Sequence, residues 1–464
     1  MKYIPRLLDD VLKRRLELYG AILITGPKWC GKSTTAKQYA KSILEMQNPR
    51  TRENNLEIAK NRPDFLLEGE KPRLIDEWQD APMLWDAIRY DVDNTGLKNQ
   101  YILTGSVTPR EDKPMHTGTG RIVRLLMRPM SLYESGDSTG EVSLKDLFDG
   151  IEDIKGITNK ELEDIAFLCA RGGWPGSIDV SREGALMIAS DYLESLIVND
   201  IKTVDGVDRN PNRLRTVLRS LARNVCTTAS LSTIKEDTSY NDAEISEKTI
   251  ADYLNALSKL YVIDDVDAWC PKLRSKTDIR TSSKRNFIDP SIAMAALRAT
   301  DKDLLKDFRT FGFIFESLCL RDLKVYAQNI DGDVFFYRDK TDLESDAVIH
   351  LKDGRWGAVE IKIGSEEAID AAAKNLLKLE SIVDTKEMNS PSFLMILTAG
   401  KYAYRRSDGV YVVPITAFPL ADALAGYSQL LGKLFLSNTC AGANVLQIFG
   451  ECHMRNLLYL LGLS

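Results

Sequence analysis

One stretch of the chain has the residue types and spacing of a phosphate-binding loop. Residues 26–33 read GPKWCGKS and match G-x-x-x-x-G-K-[ST], between an apolar run at 21–25 and a helical pattern from residue 34. In such a loop, backbone N–H groups bind phosphates, Lys32 reaches the β and γ oxygens, and the Ser33 hydroxyl ligates Mg²⁺. The sequence therefore predicts a site for ATP and Mg²⁺. Its predicted phosphate-binding residues are Gly26, Pro27, Lys28, Trp29, Cys30, Gly31, Lys32, Ser33 and Thr34.

Two further apolar runs end in polar residues of the kind that a nucleotide site needs. The first closes on Asp76 and Glu77. Asp76 would hold the Mg²⁺ through water and Glu77 would polarise the attacking water, whereas the alternative is two surface acids at a strand end. The second run ends in Thr104 and Ser106. These are candidates for sensing the γ-phosphate, although ordinary turn residues have the same composition.

A basic residue completes this first group of candidates. Arg121 follows a glycine-rich loop and precedes a fourth apolar run. From that position its guanidinium could reach the phosphates of its own chain or those of a neighbouring subunit in a homo-oligomer. Arg124 and Arg128 compete for this role, and a solvated arginine explains the pattern equally well.

A second group of charged residues occupies the last third of the chain. Glu316 lies in an amphipathic helical pattern. Two strand patterns follow, of which the first carries Asp346 and the second carries the triplet Glu360-Ile361-Lys362. Whether these side chains meet depends on the loop that joins the two strands.

Two loops are compatible with the sequence between these strands. A two-residue turn at 353–354 would place Asp346 opposite Ile361, with the acids on different faces. A three-residue loop at 352–354, ending in a left-handed glycine, would place Asp346 opposite Glu360. Only the second register brings the acids to one face of the sheet.

Composition limits the class of protein. The chain has 464 residues and a net charge of −6, which predicts a globular protein of roughly two to four domains with no global electrostatic case for nucleic-acid binding. Seven scattered cysteines without C-x-x-C spacing favour reduced thiols, and three histidines make a zinc site improbable. No stretch has the character of a signal peptide or a membrane span. We therefore expect a cytoplasmic protein that does not contact a membrane.

The middle of the chain has mainly helical periodicity. The sequence GGWP at 172–175 predicts a rigid turn, and Arg171 before it could sense nucleotide, although a structural role is favoured. Farther on, two helical patterns, the second with Ser246 as N-cap, precede a hairpin, which is the plan of a winged helix. The hairpin is basic, which suits a DNA backbone or a plain solvated loop. The predicted DNA-contacting residues are Lys272, Arg274, Lys276, Arg280, Lys284 and Arg285.

Four segments together resemble a known family. GPKWCGKSTT, LIDEWQDAPMLWDAIRYDVD, YILTGSV and GRIVRLLMRPMSLYE are similar to the prokaryotic AAA-type ATPase family whose members carry a C-terminal domain of unknown function. The resemblance covers residues 1 to about 420 and implies ATP hydrolysis. The family's loop more often reads GPRQVGKTT, so Trp29 and Cys30 are departures. Because Cys30 would place a thiol inside the phosphate cradle, we expect sensitivity to thiol reagents.

In the three-residue-loop register, the C-terminal residues resemble the restriction-endonuclease-like fold. Its motif of Asp followed by Glu-x-Lys matches Asp346 and residues 360–362, with Glu316 as its helical acid. The resemblance implies that Asp346 and Glu360 hold Mg²⁺ while Lys362 orients the attacking water. Arg338 could touch a phosphate. An inherited fold does not establish cleavage, and such residues are common on solvated sheet faces.

These inferences give an α/β fold class. A P-loop NTPase (AAA+ type) parallel sheet precedes a helical and winged-helix segment and a C-terminal restriction-endonuclease-like α/β domain. The predicted boundaries are 1–136 for the ATPase domain, 137–212 for a helical lid or linker, 213–300 for the winged helix, 301–424 for the nuclease-like domain and 425–464 for an apolar tail of unknown role.

The expected function is ATP hydrolysis that drives a DNA-contacting C-terminal half. One alternative is an ATP-gated, Mg²⁺-dependent DNA nuclease, which the full set of C-terminal acids and lysine keeps open. Another is a nucleotide switch that binds a protein partner without turnover, against which the presence of Glu77 argues. In a fourth interpretation the C-terminal sheet is a protein-binding platform.

Overall fold

A parallel sheet of five strands carries the first group of candidate residues. The computed structural model of the protein describes residues 3–106, 118–202, 204, 206–239, 245–271, 281–383 and 388–418. The elements of the first part are α1 (Leu8–Leu18), β1 (Ala21–Thr25), α2 (Lys32–Tyr39), β2 (Ser42–Glu45), α3 (Arg52–Asn61), α4 (Pro63–Leu66), β3 (Arg73–Asp76), α5 (Met83–Thr95), β4 (Tyr101–Gly105) and β5 (Ile122–Leu126). The strand order is β2-β3-β4-β1-β5 and all pairs are parallel, which confirms the predicted P-loop sheet.

The apolar composition of β1 explains its place inside this sheet. All five of its residues are buried, as expected for a parallel strand that is covered on both faces. Leu23 packs on one face with Trp78, and Ile22 and Ile24 pack on the other face with Leu12 of α1. Because β1 is held from both sides, the loop that follows it starts from a fixed position.

The middle part consists mainly of helices. Its elements are α6 (Leu144–Phe148), β6 (Gly156–Ile157), α7 (Leu162–Arg171), α8 (Arg182–Val198), α9 (Pro211–Arg223), α10 (Leu231–Ser239) and α11 (Glu247–Lys259). In the turn after α7, a Cβ on Gly173 would lie 2.0 Å from the Met130 carbonyl oxygen, so only glycine fits. Arg171 is buried and lies 2.7 Å from Asp137, which gives it a structural role.

An antiparallel pair of segments follows α11. Isolated antiparallel β-bridges join Ile263 to Phe287 and Val266 to Lys284. The helices are thus followed by an antiparallel pair, in the order that the sequence predicts. The tip of this hairpin, residues 272–280, lies outside the described residues. The winged-helix assignment stays a prediction.

A second sheet of seven strands carries the C-terminal candidates. Its elements and their neighbours are α12 (Pro290–Leu297), α13 (Asp301–Leu304), α14 (Phe308–Asn329), β7 (Gly332–Arg338), β8 (Glu344–Leu351), β9 (Trp356–Lys362), α15 (Glu366–Ile382), β10 (Phe393–Thr398), β11 (Tyr402–Arg405) and β12 (Tyr411–Pro414). The order is β6-β11-β12-β10-β9-β8-β7, with β7, β8 and β9 antiparallel and β9, β10 and β12 parallel. The restriction-endonuclease-like assignment stays a prediction, as do the domain boundaries, and the apolar tail lies outside the described residues.

Helix α14 connects the two sheets. Its 22 residues span about 33 Å. At its carboxyl end, the Gln328 side chain donates to the Leu126 carbonyl at 3.0 Å, and Arg14 of α1 donates to the Asn329 carbonyl at 2.7 Å. In the part of the chain that the structure describes, no helix combines the length and apolar character needed to cross a membrane.

Candidate active site

The phosphate-binding loop, residues 26–33, joins β1 to α2. Gly26 has a φ of 147°, and a Cβ there would lie 2.1 Å from the Met127 carbonyl oxygen. Gly31, with a φ of 104°, is the N-cap of α2 and also needs the conformational freedom of glycine. The loop therefore ends at a helix amino terminus, whose unpaired N–H groups and dipole favour an anion.

Lys32 folds back onto this loop. It is the first residue of α2 and is 5% exposed. Its Nζ donates to the Pro27 carbonyl at 2.7 Å. Phosphate oxygens are stronger partners for a buried ammonium than a single carbonyl, so the residues present fit a bound nucleotide.

The side chain of Cys30 is enclosed within the phosphate-binding loop. It is fully buried, and its thiol lies 3.4 Å from the Met127 carbonyl oxygen and 4.0 Å from Lys32 Nζ. The thiol is therefore next to the phosphate-binding lysine, as expected. Its burial argues against the expected sensitivity to thiol reagents, since reactive cysteines are at least partly exposed.

Three oxygen-bearing side chains meet beside the loop. Ser33 Oγ and Thr104 Oγ1 donate to the same oxygen of Asp76, at 2.6 Å and 2.5 Å. They come together because β3, β4 and β1 are neighbouring parallel strands. Asp76 and Thr104 lie at the carboxyl-terminal ends of β3 and β4, and α2, which carries Ser33, begins after the same end of β1. Hydroxyl and carboxylate oxygens are ligands suited to Mg²⁺. The geometry therefore fits the predicted roles of Ser33 and Asp76.

Glu77 is held beside this oxygen group. It has a left-handed backbone, with a φ of 55°, and its N–H donates to Thr104 Oγ1 at 3.2 Å. Its carboxylate accepts a hydrogen bond from Gln79, and a weaker one from Ser106 at 3.4 Å. A non-glycine residue in this conformation is uncommon and is often found at functional sites.

The tip of the loop contacts the middle part of the protein. Lys28 Nζ lies 2.6 Å from Asp200, which follows α8. The exposed Trp29 ring lies 6.1 Å from Tyr192 of α8, which stacks on Trp174 at 4.3 Å. The loop tip therefore contacts α8 and Asp200 after it, and through Tyr192 it is linked to the turn before α8.

Arg121 lies at the amino-terminal end of the parallel strands, opposite the end that carries the phosphate-binding loop. Ala21 pairs with Ile122, so Arg121 is beside the start of β1, whereas the loop follows its end, about 16 Å away. Arg121 is exposed and pairs with Asp93 at 2.5 Å. The expectation that Arg121 reaches the phosphates of its own chain is therefore wrong. A role toward a neighbouring subunit stays a prediction.

The two arginines that competed with Arg121 have structural partners. Arg124 lies 5.8 Å above the Trp85 ring. Arg128 is largely buried and pairs with Asp264 at 2.7 Å. Arg128 is therefore not free for a phosphate in this conformation, whereas Arg124 is exposed and its role stays a prediction.

The loop between the paired residues of β8 and β9 has three residues, because the Leu351 N–H still donates to the Arg355 carbonyl at 2.8 Å, which leaves 352–354. Gly354 is left-handed, with a φ of 89°, and Ala347 pairs with Val359. Continuing this register by one residue places Asp346 opposite Glu360. The three-residue alternative is therefore confirmed, and it brings the predicted acids to one place.

These acids form a buried cluster with two lysines. We call Glu316, Asp346 and Glu360 the carboxylate cluster. Lys362 Nζ lies 3.0 Å from Asp346 and 2.7 Å from Glu360, and Lys284 Nζ lies 2.6 Å from Glu316. Among the described residues, no group of three or more His, Cys, Asp and Glu side chains is placed to hold a metal ion.

Burial controls the protonation of this cluster. It raises the pKa of Glu316 to about 7 and that of Glu360 to about 8. Burial also opposes ionisation of Asp346, but the charges of Lys362 and Lys284 outweigh it, so the pKa of Asp346 is lowered. Glu360 Oε1 is buried and has no hydrogen-bond partner. The raised pKa favours the protonated form of Glu360 near neutral pH.

The basic hairpin differs from its predicted role where the structure describes it. Lys284 is 7% exposed and its charge is paired within the cluster, so it cannot contact DNA in this conformation. Arg285 pairs with Asp265 at 2.6 Å and is also mostly buried. The expectation for Lys284 is therefore wrong for this conformation, and that for Arg285 stays a prediction. The other four predicted DNA contacts lie outside the described residues: Lys272, Arg274, Lys276 and Arg280.

Two other candidates are at the surface. Arg338 pairs with Asp342 at 2.9 Å and is not part of the carboxylate cluster. Thr34 lies in the first turn of α2, exposed beside the loop. Neither the role of Arg338 nor that of Thr34 is decided by these positions, and both stay predictions.

Three residues that contact these sites were not predicted, namely Gln79, Arg6 and Asp200, and Lys284 was predicted only as a DNA contact. Gln79 follows Glu77 by two positions, so its proximity could have been noticed. Arg6, Asp200 and Lys284 reach their partners from 24, 172 and 32 residues away, respectively. No local pattern marks such long-range contacts.

Three family models match separate parts of the chain. Residues 19–136 match the family model described as "AAA domain". Residues 162–303 match "Domain of unknown function (DUF8612)", and residues 311–418 match "Domain of unknown function (DUF4143)". The two later models name no activity.

Similar proteins are known across most of the chain. Two uncharacterized proteins, from Mycobacterium bovis and Mycobacterium tuberculosis, are each 24% identical over 412 residues, which is 87% of this chain and 82% of theirs. The solved Walker-type ATPase of Pyrococcus abyssi is 16% identical, with a TM-score of 0.40, and the match covers 63% of this chain and 96% of that one. With the sheet, the loop and the family match together, the first part of this chain has the fold of an AAA-type P-loop domain.

Proposed function

We propose that this protein binds ATP with Mg²⁺, hydrolyses it, and uses the nucleotide state to control a C-terminal half that contacts DNA. ATP binding and hydrolysis are supported mainly by one observation: Ser33 and Thr104 both donate hydrogen bonds to the same carboxylate oxygen of Asp76. This group lies beside Lys32 and a helix amino terminus. The residues for binding phosphate, for binding Mg²⁺ and for catalysis then all lie at the carboxyl-terminal ends of neighbouring strands.

Each residue has a separate task in this proposal. Lys32 and the loop N–H groups bind the β- and γ-phosphates, and Ser33 and Asp76 hold Mg²⁺, which when bound neutralises phosphate charge. Glu77 orients a water molecule and takes its proton while the bond between the γ-phosphorus and the departing ADP oxygen breaks. Gln79 keeps the Glu77 carboxylate in place until substrate arrives.

Contacts of the loop support coupling to the rest of the chain. Arg6 donates to the Cys30 carbonyl of the loop at 2.8 Å, and α1, which follows Arg6, contacts the end of α14 through Arg14. On its other side, the loop contacts Asp200 through Lys28. Nucleotide binding at the loop therefore acts on two connections that lead away from the first sheet.

The DNA-contacting part of the proposal rests on the hairpin tip alone. Its four basic residues, at 272, 274, 276 and 280, are the ones whose predicted role is not altered by the structure. The nuclease alternative has its acids and Lys362 together, yet Lys284 pairs with the Glu316 that it requires. The switch alternative has no specific observation in its favour, because Glu77 is present and held.

Two further expectations belong with this proposal. Five cysteines in the described residues are unpaired thiols: Cys30, Cys169, Cys226, Cys270 and Cys319. This suits a reducing compartment such as the cytoplasm. A homo-oligomer would give the exposed Arg121 a neighbouring nucleotide to contact.

Phosphate release from ATP, with and without double-stranded DNA, tests the proposal. We expect hydrolysis that DNA stimulates. A variant with alanine at 272, 274, 276 and 280 should keep the basal rate and lose the stimulation, and Lys32→Ala should lose both. ATP binding without turnover would favour the switch, and stimulation that survives in the four-residue variant would contradict the role of the hairpin tip.

A further inference from the structure

An ion pair joins the tip of the phosphate-binding loop to the chain that follows α8. Lys28 is the third residue of the loop, and its Nζ lies 2.6 Å from Asp200 Oδ1. The two residues are 172 positions apart in the sequence. Charges of one sign repel each other at short distance, so a carboxylate here disfavours phosphate. An acid is thus held beside a loop whose other features favour an anion.

The two partners of this pair differ in exposure. The Asp200 side chain is 13% exposed, whereas that of Lys28 is 41% exposed. The position of a mostly buried carboxylate is fixed by its surroundings. A lysine ammonium is a compact charge on a flexible stem, and this one keeps contact with solvent. Lys28 is therefore the partner that can turn toward a different anion.

Lys28 is also adjacent to the group that marks the expected phosphate position. The peptide carbonyl between Pro27 and Lys28 accepts a hydrogen bond from Lys32 Nζ at 2.7 Å. Phosphate oxygens are stronger acceptors than this carbonyl, so a bound nucleotide replaces it as the partner of Lys32. Lys28 thus begins one peptide bond from the contact that phosphate is expected to displace.

The nucleotide site needs more positive charge than Lys32 alone supplies. ATP keeps excess negative charge when Mg²⁺ is bound, and the two acids at the end of β3 add to it. Arg121 lies at the opposite end of the strands, and Arg128 is paired with Asp264. Lys28 lies on the loop itself and therefore meets this need through a movement of its side chain alone.

We propose that Lys28 is a second phosphate-binding lysine that Asp200 holds away from the site, so that a γ-phosphate and Asp200 compete for its ammonium group. The inference rests on the proposed function, because it requires that the loop binds ATP. Asp200 is a positioning residue that acts through Lys28 and lowers the preference of the loop for ATP over ADP. Binding of ATP then breaks the contact between the loop and the chain after α8.

Equilibrium binding of adenylyl imidodiphosphate, a non-hydrolysable ATP analogue, and of ADP tests this competition. The measured quantity is the ratio of the two dissociation constants, so a general change in anion affinity cancels. We expect Lys28→Met to lower the preference for the analogue by about tenfold, because a hydrogen bond to a charged group is lost. Asp200→Asn should raise the preference. In a chain that already carries Lys28→Met, Asp200→Asn should leave the ratio unchanged.

Two control variants separate this competition from a general effect of charge. Lys28→Arg keeps the cation and should keep a preference for the analogue. Glu194→Gln removes a different acid of α8, which pairs with Arg215 and does not contact the loop. It should bind both nucleotides like the wild type.

Two results would overturn the proposal: an unchanged ratio in a folded Lys28→Met chain, or an effect of Asp200→Asn on the ratio that persists without Lys28. Circular dichroism melting shows whether the variants fold. If Asp200→Asn does not fold, Lys28→Met decides alone, because its side chain is partly exposed. A wild-type chain that binds neither nucleotide would overturn both this inference and the proposed function, whereas binding of the analogue without hydrolysis of ATP would contradict only the latter.

Discussion

The guanidinium of Arg6 donates to the carbonyl of Cys30 at 2.8 Å, which ties the segment before α1 directly to the phosphate-binding loop. The same group donates to the Arg128 carbonyl at 2.8 Å and lies 3.1 Å from the Glu134 carboxylate. Arg6 is 6% exposed. Three nitrogens of one planar guanidinium thus join the loop, the segment after β5 and a buried acid, in directions that are fixed by the shape of the group.

Replacing Arg6 should destabilise the protein. Arg6→Ala leaves Glu134 buried without its cation, so we expect a loss of about 3–5 kcal/mol in the free energy of unfolding. Arg6→Lys should recover part of the stability but not the contact with the loop, and should bind ATP more weakly than the wild type. Urea unfolding and equilibrium ATP binding measure these effects. Lys13→Ala removes an exposed pair with Asp10 and should cost less than about 1 kcal/mol; an equal loss in both alanine variants would contradict the account.

Asp264 should make stability depend on pH. Burial opposes its ionisation, but the charges of Arg128 and Lys324 outweigh burial and hold its pKa well below the ordinary value of 3.8. As the pH falls, the unfolded state therefore takes up the proton first. The stabilisation is complete above about pH 4 and declines below it.

Asp264→Asn tests this pH dependence. At pH 7 the variant should lose about 3–5 kcal/mol, because two buried cations lose their anion. The difference from the wild type should shrink below about pH 4, as measured by urea unfolding at a series of pH values. Asp10→Asn, at an exposed acid, is the matched control and should have little effect. A difference that stays constant down to pH 3 would show that the charge of Asp264 is not the cause.

The loop that sets the register of the carboxylate cluster should be sensitive to its glycine. Gly354 has a φ of 89° in open space, so Gly354→Ala should cost about 1–2 kcal/mol through backbone strain alone. Gly312, inside α14 and also in open space, is the matched control, and its change to alanine should stabilise by about 0.5–1 kcal/mol. Urea unfolding distinguishes the opposite signs. Equal effects of the two changes would contradict the strain argument.

Local patterns predicted the parts of the site that are adjacent in sequence or fixed by a short loop. The phosphate-binding loop, Asp76 and Glu77 follow buried strands, and parallel strands bring their carboxyl ends to one edge. The meeting of Asp346 and Glu360 depended on a single loop length, for which the sequence left two possibilities. The pairing of Ala347 with Val359 decides between them, because this register leaves three residues in the loop.

Other features could not be predicted from the sequence for identifiable reasons. A basic hairpin was expected to face a phosphate backbone, but charge along a segment does not show which side chains point inward, as Lys284 does. Arg121 precedes its strand, so strand direction places it away from the loop. Cys30 lies within a motif whose contacts come from the backbone, and nothing in the motif shows that its side chain is buried.

The ATPase claim is tested most directly by Glu77→Gln. The change keeps the size of the side chain and leaves Lys32, Ser33 and Asp76 untouched, so ATP affinity should be unchanged. Asp80→Asn, at a nearby acid that is weakly paired with Arg52, is the matched control and should hydrolyse ATP like the wild type.

The decisive measurement is the rate of phosphate release from ATP by purified wild-type and Glu77→Gln chains at equal nucleotide occupancy. The account predicts that Glu77→Gln is slower by about 10²–10⁴-fold, as expected when a general base is lost. Hydrolysis by Glu77→Gln at the wild-type rate would contradict the assignment of Glu77 and, with it, the proposed mechanism.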